Sequence, residues 1–228
     1  DDKPDPEIPL IIAPNHYSER LYSKTSDTFR DVVVTTLACI DQGLSHANTA
    51  WFIKRLPIYP VGFGMLVRQV QNASVVTYGS IPVKVKGDKI ANRGEMTKQY
   101  LEEKKRGDNI GFFPEQKPTK VLQKYHSDYI KFLAFLELLY PQGFQILPVA
   151  IFKDSRQIRV NFGSVIHAKL GNDKKYVAEK TMISIASNLP IHLQGEYQSK
   201  VNKNLSKFPI AQPPEDDRKP VFAEPLET

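Results

Sequence analysis

The residues best placed to do chemistry are Pro14-Asn15-His16-Tyr17-Ser18, directly after an apolar run. A histidine where a buried strand opens into a polar loop sits at the rim of a rigid sheet, within reach of a substrate. Near a carboxylate that fixes its tautomer, His16 could take a proton from an attacking hydroxyl. The plainer alternative is a loop histidine bonded to nearby backbone. Asn15 and Ser18 flank it as candidate substrate contacts. A second strand-to-loop junction is Phe112-Phe113-Pro114-Glu115-Gln116-Lys117-Pro118-Thr119-Lys120. There Lys117, Lys120 and local backbone N–H groups could hold a phosphate while Glu115 orients one of them or the histidine loop. A solvated turn is the alternative. Lys84 and Lys86, which follow Gly79-Ser80-Ile81-Pro82-Val83, could add cations to that anion site or lie on the wet face of an edge strand.

The elements that must position these residues read as strands alternating with helices. Glu7 to Pro14 is continuously apolar from Ile8, as suits the interior of a largely parallel sheet. Tyr17 to Arg30 is polar, without apolar periodicity, and reads as an exposed loop. Asp31 to Ile40 reads as a helix, although its β-branched run also fits a strand. Ala50 to Val70 mixes aromatics, prolines, glycines and cations, a poor core helix and a plausible surface element. Ser74 to Val85 predicts a strand with a central turn. Asn92 to Arg106 predicts a charged helix, ended by Gly107-Asp108-Asn109. Ile110 to Phe113, Phe144 to Phe152 and Gln157 to Phe162 predict strands. Asp128 to Tyr140 places Ile130, Leu133, Ala134, Leu136, Leu138 and Leu139 in a pattern closer to 3.6 than to 2, which predicts a helix, and Lys174 to Asn188 predicts a last helix. From Phe208 the chain is Pro-rich and acidic, a tail rather than an element. The fold class expected is α/β, a mixed and largely parallel sheet covered by helices on both faces. Residues 1–207 form one domain in this reading, and 208–228 the tail.

Taken together, Asn15-His16, Gly79-Ser80-Ile81-Pro82-Val83, Phe113-Pro114-Glu115 and Leu147-Pro148-Val149 resemble, in order and spacing, the blocks of the glycerolipid acyltransferase family. That group includes the lysophosphatidic acid acyltransferases, and the resemblance covers about Ile8 to Phe162. It implies the glycerol-3-phosphate acyltransferase-like fold, with His16 as general base in direct acyl transfer from an acyl thioester to a glycerolipid-type hydroxyl. The thioester, on coenzyme A or acyl carrier protein, would be a co-substrate, and no cofactor is implied. Family members carry Asp five positions after the histidine, where this chain has Leu21. Val85 stands at the usual Arg of the second block and Gln116 at the usual Gly of the third. If residues 19–30 are an insertion, Asp31 lies just before an apolar helix, as the family's aspartate does, and could return to His16. Glu19 is the second choice and Asp27 the third. A helix N-cap is the other reading of Asp31, and a site without an orienting carboxylate also remains open.

Composition sets outer bounds. In 228 residues, 41% apolar and 25% charged, the chain has ordinary globular proportions, and one domain is expected. A net charge of +6 and a pI of about 9.2 favour anionic partners such as lipid headgroups or phosphate-bearing substrates. Cys39, the single cysteine, excludes an intramolecular disulfide and reads as a packed thiol. No run approaches the ~18 apolar residues of a spanning helix, and the acidic, proline-rich start is unlike a signal peptide. A start without Met suggests trimming, with which an anchor could have gone. A cytoplasmic enzyme peripheral to a membrane is therefore expected, with Trp51, Phe52, Phe63 and Met65 among Lys54, Arg55 and Arg68 as the docking face; core packing is the alternative for those aromatics. A non-catalytic lipid-binding protein and a basic nucleic-acid-binding domain are the rivals. The latter is disfavoured by Glu102 and Glu103 among the cations of Lys98 to Arg106. Oligomeric state is not legible. Dinucleotide, Walker and Gly-x-Ser-x-Gly signatures are missing. His46, His126, His167 and His192 have no metal-ligand spacing, so no metal is expected.

Overall fold

Unbroken apolar sequence and β-branching make Leu10–Pro14 a strand buried at every position, β1. It lies at the centre of a sheet in the order β3-β2-β4-β1-β5-β6, with β7 also paired to β5. The other strands are β2 (Thr49–Lys54), β3 (Ile81–Val83), β4 (Asn109–Gly111), β5 (Phe144–Asp154), β6 (Gln157–Phe162) and β7 (Ile166–Ala168). Strands β1 to β5 run parallel, while β6 and β7 run antiparallel to β5. The helices are α1 (Thr25–Asp41), α2 (Ser127–Leu139), α3 (Lys174–Ser187) and α4 (Gln198–Lys207), with short 3-10 turns at Ile191–Leu193 and Gly195–Tyr197. The computed structural model describes residues 3–18, 25–43, 49–54, 81–83, 109–115, 117, 119–155, 157–169 and 171–207.

Neighbouring strand residues point to opposite faces, and β1 feeds two cores accordingly. Ile12 packs in a cluster with Val32 and Cys39 of α1 and Met182 and Ile185 of α3. Ile11 packs in another with Tyr129, Leu133 and Leu136 of α2 and Val177 of α3. Burying each isoleucine contributes about 2 kcal/mol. Burial also pushes the Cys39 thiol up to about 12, which suits an inert thiol in the packing. The buried Gln145 ties the N-terminal segment down, accepting from Asp5 N at 2.9 Å and donating to Asp5 O at 3.0 Å.

The α/β class and the mixed, largely parallel sheet agree with the sequence expectation, while several boundaries do not. The stretch read as a loop up to Arg30 is helical from Thr25. Ser, Thr and Asp are common at helix starts, so polar composition there does not distinguish a loop from a first turn. The expected surface element after Ala50 begins as an interior strand, β2, hydrogen-bonded to β3 on one side and β4 on the other. Asn109, expected to end a helix, starts β4. β7 and α4 were not anticipated, the first for its brevity, the second because its polar residues carry few apolar positions. Lys84, Lys86, the expected helix over 92–106 and the tail lie outside the described residues. Among the described residues no helix is long and apolar enough to cross a membrane.

One backbone contact near the site is sterically exacting. Gly195 has φ +57, and a Cβ there would stand 2.0 Å from the Leu122 carbonyl oxygen. Leu122 N in turn donates to Leu193 O at 2.9 Å. Gly195→Ala is therefore expected to lower stability by at least about 2 kcal/mol, read as a fall in the urea midpoint at constant m-value.

Candidate active site

Where β1 ends, hydrogen bonds to β5 continue for one residue and then give way to side chains. Asn15 N donates to Val149 O at 3.1 Å. Its amide closes a two-point clasp on Ile151, donating from Nδ2 to the carbonyl at 3.0 Å and accepting from the backbone N at 2.6 Å. The structure thus places Asn15 on the backbone of β5, where the sequence reading had it on substrate. The clasp holds the chain straight into His16.

His16 is 4% exposed, and its Nδ1 lies 2.7 Å from Asp31 Oδ2. A carboxylate only accepts, so Nδ1 carries the proton, and in the neutral tautomer that this selects the lone pair is on Nε2. Asp31 is fully buried. It also accepts from Tyr17 N at 3.1 Å, and from Arg30 Nε and Nη2 at 3.1 and 2.8 Å. Arg30 Nη2 reaches Tyr17 O at 2.6 Å as well, so the cation ties the carboxylate to the histidine loop. Asp31 lies in the second turn of α1 and is not a helix N-cap. It is brought to His16 by the packing of α1, through Val32 and Cys39, on the sheet face that carries Ile12.

The Glu115 turn approaches from the other side. Glu115 accepts from His16 N at 3.0 Å, Gln123 N at 2.7 Å and Thr119 Oγ1 at 3.2 Å. Thr119 N donates to His16 O at 2.8 Å and Ser18 N to Thr119 O at 3.0 Å. The two loops are thereby laced together, with Glu115 as the knot. Burial pushes its carboxyl up to about 7, outweighing the donors that pull it down, and the nearby Asp31 charge adds to the rise.

Of the sequence candidates, His16, Asp31, Asn15, Ser18 and Glu115 are brought together and buried. Lys117 and Lys120 are exposed on the Glu115 loop. Glu19 lies outside the described residues, as do Arg55, Phe63, Met65 and Arg68. Trp51 is not a docking residue: it is 1% exposed, and its Nε1 donates to Thr36 Oγ1 at 3.1 Å. Arg30 was missed, although its place immediately before Asp31 was a usable signal. Thr119 and Gln123 were missed too, and their contacts to Glu115 leave no mark in spacing. His126 caps α2 by accepting from Asp128 N, while His167 and His192 are exposed. Among the described residues no group of three His, Cys, Asp or Glu could hold a metal ion.

The Glu115 carboxyl predicts a pH dependence of stability. A folded-state value raised from 4.5 to about 7 means that the native chain binds more protons than the unfolded one in that window. Its contribution is greatest below the lower value and is lost as pH rises through the upper one. In urea titrations the wild type should lose on the order of 1 kcal/mol or more between pH 5 and pH 8 relative to Glu115→Gln. Parallel pH profiles for the two chains would remove Glu115 as the source. Comparison with protein-family models, with curated proteins and with solved structures finds no match to this chain.

Proposed function

We propose that this chain is an O-acyltransferase of glycerolipid type, moving a fatty-acyl group from an acyl thioester to a hydroxyl, with His16 as general base. The observation that carries the reading is the 2.7 Å contact between His16 Nδ1 and the buried Asp31 carboxylate. An imidazole held this way is in the tautomer and orientation a base requires. Nε2 takes the proton of the acceptor hydroxyl as its oxygen bonds to the thioester carbonyl carbon. Collapse of the tetrahedral intermediate breaks the C–S bond, and the leaving thiolate recovers the proton from Nε2. No acyl-enzyme is formed. Asp31 holds the tautomer and stabilises the transient imidazolium, Arg30 holds Asp31, and Glu115 holds the histidine loop.

In this reading the fold is glycerol-3-phosphate acyltransferase-like, the donor is acyl-CoA or acyl carrier protein, and the acceptor is a lipid or glycerol phosphate. Lys117 and Lys120, exposed beside the Glu115 turn, are the described cations available to its phosphate, with Lys84 and Lys86 as further candidates. Long acyl chains partition into bilayers at ~0.8 kcal/mol per methylene, so the enzyme works at a membrane surface, peripheral and cytoplasmic. The low exposure of the ring is the one observation that favours the rival, a non-catalytic lipid-binding protein.

The deciding experiment is an acyl-transfer assay with acyl-CoA and a panel of lysolipids and glycerol phosphate. His16→Ala should lose about two to four orders of magnitude in kcat, the usual contribution of a positioned base. Asp31→Asn, which preserves shape and misplaces the proton, should lose up to about four orders. Equal rates in wild type and His16→Ala would end the proposal, and lipid binding without turnover would install the rival.

A further inference from the structure

Trp51, displaced from the role its sequence context suggests, sits in a closely fitted place beside the histidine. It is the single tryptophan of the chain and pairs with Gly111 across β2 and β4. A Cβ on Gly111 would stand 2.3 Å from the indole Cε3, so only glycine lets the ring lie against that backbone. Trp51 stacks on Phe113 with centroids 5.2 Å apart, and Phe113 stacks on His16 at 4.5 Å with planes 28° apart. The far end of this stack is anchored on α1 by the Trp51–Thr36 hydrogen bond.

We infer that Trp51 and Phe113 are positioning residues that fix the plane of the His16 ring, with Thr36 and Gly111 fixing the indole behind them. This rests on the reading of His16 as the base. The Asp31 contact restrains one edge of the imidazole, but χ2 of histidine is a broad torsion that a single edge contact leaves loose. Rotation about it swings the Nε2 lone pair, and the point an acceptor oxygen must occupy lies farther from the Cβ–Cγ axis than any ring atom. A ring stacked on one face loses that rotation. Asp31 and Thr36 both belong to α1, so one helix governs the imidazole from its edge and, through two aromatic rings, from its face. Displacing a catalytic group by about 1 Å costs about a hundredfold in rate, which makes face restraint a rate determinant rather than a binding one.

The test reads position and rate separately. In wild type the ring-proton NMR resonances of His16, assigned by their loss in His16→Ala, should be shifted upfield by the Phe113 ring. Trp51→Leu should move them toward free imidazole and lower kcat about ten- to a hundredfold, with KM changed less than about threefold. Trp51→Phe, which keeps a ring on Phe113, should restore the resonances and bring kcat within about threefold of wild type. A folded Trp51→Leu chain with unchanged resonances and kcat would overturn the inference. If that variant does not fold, Thr36→Val, which releases only the indole N–H, takes its place with the same two readouts and the same overturning result. Wild type without His16-dependent turnover, but with resonances that respond as stated, would sink the acyltransferase reading and leave the stack standing.

Discussion

A carboxylate taken fully out of water loses several kcal/mol of hydration even after the surroundings relax, and only a full set of donors offsets it. Asp31 has that set, from the Arg30 fork, Tyr17 N and His16 Nδ1. Two of the four donor atoms sit on the loop after β1, and Arg30, which supplies the other two, is tied to that loop through Tyr17 O, so the loop cannot move without stranding the charge. Removing one partner of such a pair costs about 3–5 kcal/mol because the other is left buried and uncompensated. The conformation of the histidine loop and the stability of the fold are in this way one quantity. What holds α1 in place, Val32 and Cys39 in the core, holds the imidazole too.

Glu115 meets the same problem differently. Its donors are two backbone N–H groups and a hydroxyl, and the described contacts give it no cation. Burial then prevails and its carboxyl rises to about 7, with the Asp31 charge adding to the rise. Two carboxylates thus flank one histidine, one paired with arginine at the ring and one set among main-chain donors. The partners of each carboxylate set what it can hold in place. Here the division is between the ring nitrogen and the loop's main chain.

What the sequence made legible follows the range of the interaction concerned. β1, β5, β6 and α3 are written in local apolar pattern, which survives any tertiary context, and the two strand-to-loop junctions were readable because each apolar run stops abruptly. The start of α1 was not, since Thr25 to Thr28 suit a helix's first turn as well as a loop. Trp51 was misread because aromatics among cations look alike whether they face lipid or core; pairing with Gly111, 60 residues away in sequence, decides it. Arg30, Thr119 and Gln123 act only through the positions of other groups, and spacing cannot express that.

That Leu21, and no carboxylate, stands five positions after His16 fits the same logic. A histidine needs a carboxylate oxygen at hydrogen-bond distance from Nδ1, and the number of intervening residues enters only through the path they trace. Supplying the oxygen from inside a helix, rather than from the loop that carries the histidine, frees the intervening segment from serving as a geometric ruler. The helix must then be positioned independently, by the core beneath it and by Arg30 bridging from Asp31 to Tyr17 O. A motif defined by fixed spacing cannot register such a solution. The constraint lies in packing rather than in covalent distance, and it is met by Val32 and Cys39 of α1 in the core and by the Arg30 bridge.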